Sequence, residues 1–249
     1  MSRIVPSCVV LAAAFALAVP AFAQSAGDSS AGGAGSQAPQ QAAEKDQPMK
    51  PVDEQPDLPR VLLIGDSISI GYTVPVRELL AGEANVIRPL TNCGPTTRGL
   101  DQLDKWLGEK SWDVIHFNWG LHDLKYIGGQ GDRLVPVDTE GSRQQVPPEQ
   151  YAKNLESLVK RLKQTGAELI WCATTPVPEG ARGRVVGDSK KYNQIAAEIM
   201  QRHEIATNDL YTAAIERLDK IQRPANVHFT PDGSRYLAEQ VAGQIRQAL

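Results

Sequence analysis

The chain is poor in the residues that hold metals or staple small folds. Three of its 249 residues are cysteine and four are histidine. They are scattered, so no set with metal-ligand spacing forms, and neither a metal nor a cofactor is expected. His203-Glu204 lacks the second histidine of a His-Glu-x-x-His zinc motif, because position 207 is threonine. There is no long basic run, and the formal charge is −3. Nucleic acid is therefore not an expected partner. The longest apolar stretch, residues 9–19, is too short to span a bilayer, which argues against stable membrane insertion of the processed chain. No internal repeat is present. Gly128-Gly129-Gln130-Gly131 has neither the pattern nor the strand-to-helix setting of a nucleotide loop.

What is present divides the chain in three. Residues 1–23 read as a secretory signal peptide. Arg3 supplies the positive start, an apolar stretch follows, and Ala21-Phe22-Ala23 fits a small-x-small cleavage site. A secreted or periplasmic location follows, and loss of Arg3 leaves a charge of −4. Residues 24–58 are rich in Ala, Gly, Ser, Gln and Pro and have little to bury, so they read as a disordered leader. Residues 59–249 are long enough for one domain with a sizeable core. Of the two cysteines beyond the signal, Cys93 and Cys172 are expected on non-neighbouring strands and hence unpaired.

Within the domain, apolar runs alternate with helical spacing. Strands are expected at 60–64, 85–90, 113–118, 168–173 and 205–207. Helices are expected at 76–81 (opened by Pro75), 100–107, 151–164, 189–203 and 210–218, with a last one capped by Thr230 and carrying Pro231 at its first position. Alternation of this kind implies an α/β fold: a single flavodoxin-like three-layer domain whose parallel sheet of about five strands is flanked by helices. Residues 128–148 break the alternation and read as an insertion, a hairpin at the carboxyl edge of the sheet being one form it can take.

The densest signal is Val61-Leu62-Leu63-Ile64-Gly65-Asp66-Ser67. A buried parallel strand runs into a tight turn and presents a serine at the carboxyl edge of the sheet, where open α/β folds bind ligands. Ser67 can be a nucleophile or a helix cap. Three further segments belong to the same edge. They are Asn92-Cys93-Gly94 after the second strand, Gly120-Leu121-His122-Asp123 after the third, and His228-Phe229-Thr230-Pro231 before the last helix. A serine attacks a carbonyl only when a base takes its proton, and histidine is suited to that and to returning it. Trp119, Trp171 and Tyr126 near this edge either pack the core or offer faces on which sugar rings stack. His116 falls inside a strand, and His203 ends a helix.

The ordered set resembles the SGNH (GDSL) hydrolase family over nearly everything from Pro59 onward. The resemblance implies a serine-nucleophile ester hydrolase. Ser67 matches its nucleophile, Gly94 its block-two glycine, Gly120 and Asp123 the frame of its Gly-x-Asn-Asp block, and His228 its catalytic histidine. It further implies an oxyanion hole from the Ser67 and Gly94 amides and the side chain at 122, with Asp66, Gly120 and Asp123 in support. Two positions depart from the family. His122 stands where asparagine is usual, and a neutral imidazole N–H can still donate. Ala225 stands where an aspartate is usual, three residues before the histidine. His228 must then lean on a backbone carbonyl, on Asn226, or on an acid from elsewhere. Asp232 is near in sequence but suits the start of the last helix. Mild acidity favours small O-acetyl groups on a carbohydrate or other polar small molecule. The alternatives are a lysophospholipase or thioesterase, or a carbohydrate-binding relative that has lost turnover.

Overall fold

A computed structural model describes residues 47–129 and 131–249. The signal-peptide and most of the leader expectations lie outside these residues.

The central sheet is parallel, with strands β1 (Arg60–Ile64), β2 (Asn85–Ile87), β3 (Val114–Phe117), β6 (Glu168–Cys172) and β7 (Ala206–Asn208) in the order β2-β1-β3-β6-β7. This is the expected doubly wound arrangement. Val61 to Ile64 of β1 and Val114 to Phe117 of β3 are buried along their length, because helices cover both faces. The helices are α1 (Ser67–Leu79), α2 (Thr96–Leu107), α3 (Pro148–Lys163), α4 (Asp188–His203), the short α5 (Leu210–Ile215) and α6 (Leu218–Ile221), and α7 (Pro231–Ala248). α1 packs on α7, while α3 packs on both α2 and α4. Residues 128–148 do contribute to a small hairpin, in which β4 (Tyr126–Ile127) pairs antiparallel with β5 (Arg143–Gln144).

Several boundaries differ from the sequence reading, each for a physical reason. The 76–81 helix begins at Ser67 instead, and Pro75 lies inside it. Asp66, not Ser67, is its cap, with Oδ1 accepting from Ile68 N–H at 2.9 Å. Pro75 has no N–H to give to the carbonyl of Gly71, four residues back, so the helix lacks that bond. β2 stops at Ile87, since Arg88 turns inward and Pro89 cannot donate to a ladder. The expected 210–218 helix is two short ones. Residues 47–58, assigned to the leader, are tied to the domain: Asn85 exchanges hydrogen bonds with Gln55, Asn85 Nδ2 also reaches Leu58 O, and Glu54 meets Arg60 and Lys110. These polar contacts need no apolar side chains, so composition gave no sign of them.

Trp119 and Trp171 are each 1% exposed and pack against Phe117, so they belong to the core and offer no face to a sugar. His116 is buried and accepts from Asn208 Nδ2 at 3.2 Å, and burial pushes its pKa down to about 3. Cys172 ends β6 as expected, but Cys93 lies in the loop after β2 and not on a strand; both are free and buried.

Candidate active site

The fold brings the four segments to one edge. Ser67 Oγ lies 2.8 Å from His228 Nε2. Across 161 residues of chain, a serine hydroxyl and an imidazole are thus within hydrogen-bond reach, as a nucleophile and its base must be. The other ring nitrogen, Nδ1, lies 2.7 Å from Asn226 Oδ1. That same oxygen accepts from the backbone N–H of His228 at 3.0 Å. An amide N–H can only donate, so the Asn226 atom it meets must be the oxygen. The proton shared with the ring must then sit on Nδ1, which leaves Nε2 as the acceptor facing Ser67.

The loop that makes this possible is bent. Ala225 has φ +50°, in the left-handed region that non-glycine residues seldom enter. Asn226 N–H returns to Arg223 O at 3.2 Å, and Arg223 N–H to His228 O at 2.9 Å. The expected aspartate position is occupied by this turn-forming alanine, and the imidazole is oriented from one residue later. Asp232 is exposed at the first turn of α7, where Thr230 caps Gly233 N–H at 3.0 Å.

Burial holds the His228 pKa below the ordinary histidine value. Asp66 opposes the shift, and the charges of Arg184 and Arg223 add to it. The ring is therefore neutral near pH 7, as a base must be.

His122 is partly buried beside the cleft and is also held neutral, first by burial and then by Lys125, Arg184 and Arg98, against Asp66. The Ser67 N–H, at the first turn of α1, has no protein acceptor among the described residues. Gly94 differs from expectation. Its N–H is not free but donates to Asn92 Oδ1 at 2.9 Å, and its φ of +61° is left-handed. An Asx-type turn has captured the donor.

The supporting residues act on the backbone. A β-carbon on Gly120 would lie 2.1 Å from Thr174 Oγ1, so glycine is required there by packing. Asp123 is fully buried and accepts from both Thr96 N–H (2.9 Å) and Thr96 Oγ1 (2.5 Å). Pro95 offers α2 no side-chain cap, so Asp123 caps that helix from the next loop and ties the Gly94 segment to the His122 segment.

Burial raises the Asp123 pKa to about 7 despite those donors. Its ordinary value is about 3.9. Between these values the folded state holds the proton and the unfolded state does not, so Asp123 makes stability fall as pH rises from about 4 to 7. Asp123→Asn keeps an oxygen for Thr96 and cannot ionise. Its melting temperature relative to the parent should rise by several degrees between pH 5 and pH 8, at about 2–4 °C per kcal/mol. An equal difference at both pH values would refute this. The extra buried N–H of asparagine affects both pH values alike and cancels.

Sequence reasoning missed Arg88. It is 2% exposed and reaches Gly65 O, Ser69 Oγ, Thr73 Oγ1, Pro89 O and Thr91 O, all within 3.3 Å. It clamps the turn bearing Ser67 to the end of β2. An isolated arginine after a strand carries no motif, so only the fold reveals it.

Residues 63–236 match the model of the GDSL-like Lipase/Acylhydrolase family. The chain belongs to that family. It is a carboxylic ester hydrolase, as the family is. Solved structures share the family's fold at low identity. A lipase/acylhydrolase from Enterococcus faecalis aligns with a TM-score of 0.62 and 20% identity, over 76% of this chain and 96% of that one. An acetyl xylan esterase, AlAXEase, aligns with 0.60 and 15%, over 75% and 99%. The acetylxylan esterase Axe2 from Geobacillus stearothermophilus aligns with 0.60 and 17%, over 75% and 94%. No curated protein sequence matches the chain.

Proposed function

We propose that the protein removes small O-acyl groups, acetyl above all, from carbohydrate esters, with Ser67 as nucleophile and His228 as general base and acid. The observation that carries this reading is the Ser67–His228–Asn226 hydrogen-bonded line. In it, the tautomer that accepts the serine proton is set by a backbone amide.

Ser67 Oγ attacks the ester carbonyl as its proton passes to His228 Nε2. The tetrahedral oxyanion is met by Ser67 N–H, by the neutral His122 ring, and by Gly94 N–H when it shares or leaves its bond to Asn92. Each such donor is typically worth about 3 kcal/mol of barrier. His228 then protonates the leaving alcohol, and water repeats the sequence on the acyl-enzyme.

Two clefts adjoin the site. One, of about 440 Å³, holds Ser67 and His228 and is walled mainly by Ile68, Ile70, Pro75, Phe229 and Pro231, with Arg223 and Ser234 as polar members. The other, of about 590 Å³, adjoins Gly94 and His122 and includes Arg98, Gln102 and Lys125. The polar walls of the second suit a hydroxyl-bearing carrier, and the apolar walls of the first suit the acyl group. The names of the two acetyl xylan esterases of the same fold point the same way. Export through residues 1–23 belongs to this reading, since polymeric carbohydrate is met outside the cytoplasm.

The test is hydrolysis of p-nitrophenyl acetate and p-nitrophenyl octanoate, beside acetate release from acetylated xylo-oligosaccharides. We expect kcat/KM for the acetate to exceed that for the octanoate by at least about tenfold, with acetate released from the sugar. A preference for octanoate would assign the site to a long-chain acylhydrolase instead.

A further inference from the structure

Four cations stand along this edge: Arg98 and Lys125 with His122, Arg184 against Leu121, and Arg223 with Ser67 and His228. None makes an ion pair among the described residues, whereas Arg60, Arg161, Arg202, Arg235 and Arg246 each meet a carboxylate. Arg98 and Lys125 line the cleft that contains Gly94 and His122, together with the exposed Asp101 and Asp132. Arg223 lines the cleft that contains Ser67 and His228.

Arg184 is the most constrained of the four. It is partly buried in the loop after β6, and its Nε donates to Leu121 O, next to His122, at 3.2 Å. Its neighbour Gly183 is fixed on both sides. Gly183 O accepts from Tyr126 N–H at 2.8 Å, and a β-carbon on Gly183 would lie 2.5 Å from Val135 O. The hairpin thus holds the arginine in place. Its two terminal amino groups have no protein acceptor among the described residues. Its charge acts on both His122 and His228, and the carboxylate acting on it, Asp66, already caps α1. A planar two-amino fork anchored to Leu121 O, next to His122, with no carboxylate of its own, suits a bidentate anion.

We infer that Arg184 binds an anionic group of the substrate, a carboxylate or a phosphate carried beside the scissile ester, so that acidic acylated sugars are preferred over neutral ones. This rests on the reading of Ser67 as an esterase nucleophile acting on acylated carbohydrate, and it narrows the carrier.

The test compares kcat/KM of the full protein on three mono-O-acetylated sugars: methyl glucoside, methyl glucuronoside and methyl glucoside 6-phosphate. p-Nitrophenyl acetate serves as a neutral reference. At least one anionic sugar should exceed the neutral one by about ten- to a hundredfold. The one that does identifies the anion. The preference should shrink in high salt, collapse toward one in Arg184→Gln, and survive in part in Arg184→Lys.

A second readout shows whether the charge of Arg184 reaches His228. Removing the cation should move the acid limb of the p-nitrophenyl acetate profile to higher pH, because imidazolium at 228 is no longer repelled. Equal rates on all three sugars, with p-nitrophenyl acetate still cleaved, would overturn this inference and leave the esterase standing. So would a preference unchanged in Arg184→Gln. If no ester is cleaved, p-nitrophenyl acetate included, the serine-esterase reading falls and this inference with it.

Discussion

Ser67→Ala is expected to lower kcat on p-nitrophenyl acetate by about 10⁴- to 10⁶-fold, to the level that preorganised donors alone sustain. The hydroxyl removed is the one 2.8 Å from His228 Nε2. Among the described residues no other hydroxyl lies within bonding distance of that nitrogen. The rest of the molecule should hardly notice. Ser67 is the first residue of α1, its helix is capped by Asp66, and among the described residues its side chain bonds only to His228. Melting should therefore stay within a few degrees of the parent, since alanine is a good helix former. Circular dichroism with a thermal melt, run beside the kinetics, checks both halves. Retention of even a tenth of the activity in a folded variant would remove Ser67 from the chemistry.

The second large effect is expected at Asn226. Its side-chain oxygen makes two bonds, one holding the ring and one holding the backbone of the same histidine. Asn226→Ala frees the ring to take the other tautomer, in which Nε2 carries the proton and cannot accept one from serine. A wrong tautomer in an aspartate-containing triad costs about 10⁴-fold. Asparagine brings no charge to lose, so about 10²- to 10³-fold is expected here.

Asn226→Asp discriminates further. The carboxylate keeps the bond and stabilises the imidazolium, which raises the His228 pKa. Activity depends on neutral His228 and is lost as pH falls through that pKa. The parent's acid limb should therefore lie below pH 6.5, since burial, Arg184 and Arg223 all depress the value. With Asn226→Asp the limb should lie about one or more units above the parent's. A kcat/KM profile from pH 4 to 9 reads both. If Asn226→Ala retained activity within threefold, the ring would be oriented by something else.

The central sheet was legible because buried parallel strands announce themselves. Val61 to Ile64 and Val114 to Phe117 have no polar interruption other than His116, and that histidine is indeed accommodated, by Asn208. Ser67 and His228 were legible for a different reason. Residues at the carboxyl ends of strands, or before the last helix, are gathered by topology whatever the intervening chain does. The orientation of His228 was legible only in part: Asn226 stood among three kinds of partner, with nothing in the string to choose between them. A fixed offset of three residues leads to Ala225, and only the positive φ of Ala225 brings Asn226, at an offset of two, under the ring. Backbone sign is invisible in a one-letter string. The same holds for Gly94, whose amide is taken by a side chain two residues away. Arg88 and Arg184 carry no motif at all. Each has meaning only once β2, the loop after β6 and the nucleophile turn are in place.

The two unpaired thiols have a practical consequence. Cys93 adjoins Gly94 in the loop after β2, and Cys172 closes β6, next to the edge strand β7, where it lines a small cavity with Asp66 and Ser69. Burial pushes Cys93 up to about 11 and Cys172 higher still, so neither offers a thiolate to an alkylating reagent while the domain is closed. Nothing crosslinks them, so each becomes reactive as soon as its own neighbourhood opens. The rate at which each is alkylated, followed by mass spectrometry, is then a two-channel clock. One channel times the loosening of the loop after β2. The other times the opening of the packing between the end of β6 and the start of α1. Their ratio under substrate analogues would tell whether occupancy stiffens one side of the site or both.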